Sequence, residues 1–172
     1  MTGPDHKTRL IIVDACVLID FFETDRTVLQ LVASYVASVH VVSPIVEEVR
    51  DIDGPEELTE LGIYVMEPEI EDAYAAAIGG GTVSFQDRLC LLTAKRHGMT
   101  CVTNDKSLRS LCTKEGVPLL WGLELLLELH AAGGIPRTIA ETVAQAIHEA
   151  NPRHITRSLL ARFKAKIGHD RE

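Results

Sequence analysis

Short apolar runs alternate along the chain with segments of helical period. Residues 9–13, RLIIV, are β-branched and apolar on both faces, as a central strand of a parallel sheet requires. VHVVS, IYVM, TCVT and VPLL repeat this character further on and predict four more strands. Between them lie helical patterns with recognisable ends. DRTVLQLVASYVAS predicts a helix entered from Thr24 as its N-cap, and Ser43-Pro44 places a cap and a first-turn proline before PIVEEVRDI. GPEELTELG reads as a short helix closed by glycine, and PEIEDAYAAAIGG as another that ends in the run Gly79-Gly80-Gly81. SFQDRLCLLTAKRHG opens on a capping-box-like Ser84 to Asp87 pair and closes at Gly98, and DKSLRSLCTKEG follows TCVT as a further helix.

From Trp121 to about Ile167 the period is helical throughout, with RTIAETVAQAIHEAN and ITRSLLARFKAKIG as the last two stretches. Strands alternating with helices predict an α/β fold. Its form is a three-layer α/β/α sandwich around a mainly parallel sheet, with extra helices at the C-terminus. No repeat, linker or low-complexity segment divides the 172 residues. One domain is expected, with its core over about 8–130 and a helical extension over 131–172.

Composition narrows the function. The chain is 46% hydrophobic and 24% charged, ordinary for a globular fold. Aromatic residues make up 5%, too few for an extended base-stacking platform. Cys16, Cys90, Cys101 and Cys112 have no CxxC spacing, which argues against zinc and for reduced thiols in a cytoplasmic protein. Asp14 interrupts the apolar run LIIVDACVLIDFF, and Glu124 and Glu128 interrupt PLLWGLELLLELHAA, so neither reads as a membrane span. A formal net charge of −8 excludes nucleic-acid binding by overall charge. The charge is uneven, however. EEVRDIDGPEELTELGIYVMEPEIED holds a single arginine, whereas RLCLLTAKRHG, DKSLRSLCTK and NPRHITRSLLARFKAKIG are basic, which permits a local phosphate-binding surface.

Asp14 poses the chemical question, because an ionised carboxylate buried without a partner costs several kcal/mol. Other acids occupy comparable places. Asp105 follows TCVT, Glu47 and Glu48 lie just after VHVVS, and Asp87 sits in the first turn after the glycine run. In open parallel sheets ligands bind outside the carboxyl ends of the strands, where these positions fall. At about 100° per residue, Ile45, Val46 and Val49 form one stripe with Glu48 at its flank, while Glu47 points to water. Asp87 heads the apolar stripe Cys90, Leu91 and Ala94. Singly, each acid has an ordinary explanation. Asp14 and Asp105 suit helix N-caps, Asp87 completes a capping box, and Glu48 could pair with Arg50 or a lysine. Together at one edge they would repel, and a hard divalent cation such as Mg²⁺ or Mn²⁺ would remove that penalty.

At these residues the sequence resembles the PIN-domain nucleases, especially the VapC-like toxin ribonucleases. IIVDACVLIDFF matches the opening strand and first acid, and VVSPIVEEV the segment of the second acid. SFQDRLCLLTAKRHGMTCVTNDKSLRSL is similar to the third-acid helix, the next strand and the Thr-x-Asp turn. The match runs from about Arg9 to Val117. It implies that Asp14, Glu48, Asp87 and Asp105 hold one or two Mg²⁺ or Mn²⁺ ions, with Thr103 supporting Asp14. It implies also a metal-dependent endoribonuclease that acts on RNA, commonly a homodimer and commonly restrained by an antitoxin protein. Arg88, Lys95, Arg96, Lys106 and Arg109 are available to contact phosphates. The rival reading is a catalytically weak PIN-like module that binds RNA or protein. A haloacid-dehalogenase-type phosphohydrolase would want an aspartate where Cys16 stands, and a receiver-type phosphoacceptor lacks its acid pair and lysine.

Overall fold

The computed structural model describes residues 9–169. Five parallel strands form one sheet in the order β3-β2-β1-β4-β5. They are β1 (Leu10–Val13), β2 (Ser38–Val42), β3 (Ile63–Met66), β4 (Thr100–Val102) and β5 (Leu119–Leu120). Ile11, Ile12 and Val13 are fully buried, which explains why RLIIV carries no alternation. β1 is the central strand, with Ile11 opposite Val39 of β2 and Thr100 of β4.

The chain leaves β1 towards β2 and β3 by way of α1 (Ala15–Thr24), α2 (Thr27–Tyr35), the short α3 (Ser43–Val46) and α4 (Pro55–Glu60). It then returns across the sheet through α5 (Ile70–Ile78) and α6 (Phe85–His97) to β4, and through α7 (Lys106–Glu115) to β5. Right-handed crossovers in opposite directions put the two helix sets on opposite faces, so the domain has three layers. α8 (Gly122–Ala131) packs on the α2 side, and α9 (Arg137–Ala150) and α10 (Arg157–His169) pack on α8. One hydrophobic cluster extends from Ile11 to Ile167, and Leu160, Phe163 and Ile167 of α10 belong to it. The last three residues of the expected extension lie outside the described residues.

Three local expectations are corrected. The DRTVLQLVASYVAS helix forms as α2 from Thr27, with Arg26 and not Thr24 at its cap, and an unexpected α1 precedes it: Val17, Leu18, Phe21 and Phe22 form the buried stripe of α1, a helical period hidden within an apolar run that continues the strand. PIVEEVRDI is helical only through Val46, since the acids Glu47 and Glu48 oppose the negative end of the helix dipole. Ser43 is the first residue of that helix, not its cap, and its hydroxyl donates to Glu67 at 2.8 Å. The wholly helical tail is broken twice, at Gly133-Gly134-Ile135-Pro136 and around Asn151. No helix among the described residues is long and apolar enough to cross a membrane.

Candidate active site

Strand order reverses between β1 and β4, because the chain runs outward from β1 in one direction and from β4 in the other. Helices diverge at such a point and leave a crevice beyond the carboxyl ends of the strands. Asp14 is the residue after β1, and Thr103, Asn104 and Asp105 follow β4. Of these, Asp14, Thr103 and Asp105 are positions that the sequence marks.

Asp14 is 1% exposed. It caps α1, with Oδ1 accepting from the Val17 N–H at 3.0 Å. The Thr103 hydroxyl donates to Oδ2, and the Cys16 thiol lies 3.2 Å from both oxygens. Burial pushes the Asp14 carboxyl up to about 6, against the pull of these donors, and the nearby Asp87 adds to the rise. No cation compensates it: none of Asp14, Glu48, Asp87 and Asp105 takes part in an ion pair among the described residues. Burial and the charge of Asp14 in turn hold the Cys16 thiol well above its ordinary range, so it acts here as a donor and not as a nucleophile.

Thr103 ties two acids together. Its hydroxyl donates to Asp14 and accepts from the Asp105 N–H at 3.0 Å, while Asp105 caps α7 by accepting from the Leu108 N–H at 2.8 Å. Asp87 stands in the first turn of α6, whose cap Ser84 accepts from the Asp87 N–H at 3.1 Å. The stripe it heads is buried, with Cys90, Leu91 and Ala94 inside the core. Burial raises the Asp87 carboxyl above the usual range, and Asp105 raises it further. Glu48 is exposed, yet partial burial and the charge of Asp87 raise its carboxyl too. The charge of Asp87 thus adds to the rise at both Asp14 and Glu48, as that of Asp105 does at Asp87.

The capping explanations hold: Asp14 and Asp105 each cap a helix, and both oxygens of Asp14 are engaged, one by the Val17 N–H and the other by the Thr103 hydroxyl. Among the described residues no three carboxylates, imidazoles or thiols stand close enough to form a finished metal cage. The donor set itself is all carboxylate oxygen with one hydroxyl behind it, the chemistry that suits Mg²⁺ or Mn²⁺ and not a soft metal.

Most of the expected phosphate contacts are otherwise engaged. Arg88 donates to Val83 and Gly80 carbonyls and holds the glycine loop. Lys95 pairs with Glu115 at 2.8 Å, and Arg96 grips both oxygens of the buried Asp72 at 2.6 and 2.8 Å. Arg109 lies 3.6 Å from the ring centre of Trp121 and donates to the Thr103 and Leu120 carbonyls, clamping the ends of β4 and β5. Lys106 remains exposed, with no bonded partner among the described residues.

A second polar network escaped the sequence reading. Asp20 on α1 is 5% exposed and accepts from Asn104 at 3.1 Å and from Asn151, the residue closing α9, at 3.0 Å. Asn104 also accepts from the Gly122 N–H at 2.8 Å, and a Cβ at Gly122 would lie 2.9 Å from its amide nitrogen. The available signal was Asp20 lying one position before the apolar pair Phe21-Phe22, a second acid inside the same apolar run as Asp14.

The chain matches no protein-family model and no curated protein. Among solved structures it is similar to a PilT N-terminus domain protein from the hyperthermophilic archaeon Sulfolobus solfataricus. The identity is 12% and the TM-score 0.49, over 72% of this chain and 92% of that one.

Proposed function

We propose that the chain is a metal-dependent endoribonuclease of the PIN-domain, VapC-like kind, working as the toxin of a toxin–antitoxin pair and as a homodimer. The observation that carries the nuclease reading is the buried Asp14, which has no cation partner among the described residues and feels the charge of Asp87. The toxin role and the dimer rest on the sequence resemblance of the IIVDACVLIDFF and TCVTND segments alone.

In this reading Asp14, Glu48, Asp87 and Asp105 would hold one or two Mg²⁺ or Mn²⁺ ions. A bound ion supplies a water acidic enough to ionise near neutral pH and neutralises charge on the phosphoryl group. Thr103 keeps Asp14 in one orientation through its hydroxyl bond, and the α1 cap holds the opposite oxygen. Glu48 is exposed and Asp87 half-buried, so both retain the rotamer freedom to close on a ligand. Arg109 keeps the Thr103 turn fixed from behind.

The absence of a finished cage among the described residues favours one alternative, a PIN-like module that binds RNA or protein without cutting it. Cleavage of a single-stranded RNA in Mn²⁺ separates the two. Wild-type chain should cut, EDTA should stop it, and Asp14→Asn and Asp87→Asn should each lower the rate at least a hundredfold with no loss of unfolding temperature. Equal cleavage by both variants removes the assignment.

A further inference from the structure

Next to the acidic crevice is a pocket of about 180 Å³ lined by Asn104, Asp105, Lys106, Ser107, Arg153 and His154. Its two halves come from distant parts of the chain: the start of α7 and the turn between α9 and α10. We propose that this pocket binds a backbone phosphate of the RNA strand, flanking the bond at the acidic site. The proposal rests on the nuclease reading above and names where its substrate is held.

Two permanent cations, Lys106 and Arg153, and the imidazole of His154 converge there. None has an ion-pair or hydrogen-bond partner among the described residues, although the molecule carries excess acid. Elsewhere the basic side chains near the crevice are engaged by carboxylates or carbonyls. Ser107 adds a hydroxyl within the first turn of α7, where helix N–H groups lack intrahelical partners. A phosphate diester matches this set in charge and in its number of acceptor oxygens. Asp105 is the one acid in the lining, and the Leu108 N–H at 2.8 Å engages its Oδ1.

The pocket is also held in place. Asn104 in its wall and Asn151, two residues before Arg153, both donate to the buried Asp20. Ile155, directly after His154, is buried in the core, and its carbonyl contacts the His148 ring. The α9–α10 turn is therefore pinned on both sides of the two basic residues. This gives the C-terminal extension a task that a minimal nuclease core would lack.

The test is fluorescence anisotropy of a short labelled single-stranded RNA in EDTA, so that no cleavage intervenes. Wild-type chain should bind, and Arg153→Glu and Lys106→Ala should each weaken binding about tenfold or more. The slope of log Kd against log salt should fall by about 1 in each. Lys164→Glu, a matched charge reversal on α10, should change the affinity less than twofold beyond the shift in net charge. Inorganic phosphate should compete only weakly, since one pocket supplies part of the strand's binding. Unchanged binding in Arg153→Glu, or no binding by the wild-type chain, overturns the pocket. So does full competition by inorganic phosphate. If the variants lose binding while the wild-type chain never cleaves RNA in Mn²⁺, the pocket stands and the nuclease reading falls.

Discussion

Asp14 caps a helix and is buried, and the two circumstances pull its proton in opposite directions. As a cap it accepts from Val17 and gains from the helix dipole, both of which favour the anion. Burial favours the acid and wins, holding the carboxyl near 6 rather than 3.8. A folded-state value raised in this way contributes stability below the unfolded value and loses it as pH rises to the folded one. In EDTA, ionisation of Asp14 should therefore cost on the order of 3 kcal/mol across the window from about 4 to about 6, at roughly 1.4 kcal/mol per unit. Asp14→Asn keeps the cap, since asparagine caps as well as aspartate, and removes the titration. Urea unfolding at pH 4 and pH 7 should show wild-type stability falling relative to the variant between those points. Parallel behaviour of the two would mean that Asp14 is solvated.

Among the elements, the C-terminal helices matter more to the site than their distance in sequence suggests. α9 and α10 complete the core around α8, and Asn151 fastens them to Asp20 and so to Asn104 in the crevice wall. Replacing Asp20 by alanine would leave the buried Asn104 amide and the half-buried Asn151 amide without this acceptor. It should cost about 2–4 kcal/mol in urea unfolding. RNA binding should weaken as well, whereas a site independent of the tail would lose stability alone. Strands and most helices were legible because their signals are local: the double-sided apolar run of β1, the Ser84 cap, and Gly98 and Gly116 in left-handed caps. α1 was hidden because its buried stripe, Val17, Leu18, Phe21 and Phe22, merges with the apolar strand before it. The Asp20 network was hidden because its partners lie 84 and 131 residues away, beyond any spacing rule.

At the scale of the whole molecule, topology gathers what the sequence scatters. The reversal of strand order between β1 and β4 fixes where ligands can enter, and it brings Asp14, Thr103 and Asp105 to one crevice. Asp14 and Asp105 were legible at this edge because each lies just after a strand and caps the next helix. The identity of the phosphate contacts was not legible, because whether an arginine is free depends on which carboxylate folds beside it. Arg96 found Asp72 and Lys95 found Glu115, while Arg153, far along the chain, has no partner among the described residues. On a chain of net charge −8, the proposed RNA binding would depend on a few locally placed cations and not on the overall field.

The central claim is that four carboxylates from four segments serve one divalent-ion site, of one or two ions. Anomalous diffraction from a crystal soaked in Mn²⁺ tests it most directly. The account predicts a manganese peak bonded to the Asp14 carboxylate and to at least one oxygen of Glu48, Asp87 or Asp105. A fully soaked crystal with no peak in the crevice, or with manganese bound only away from these four residues, would contradict it.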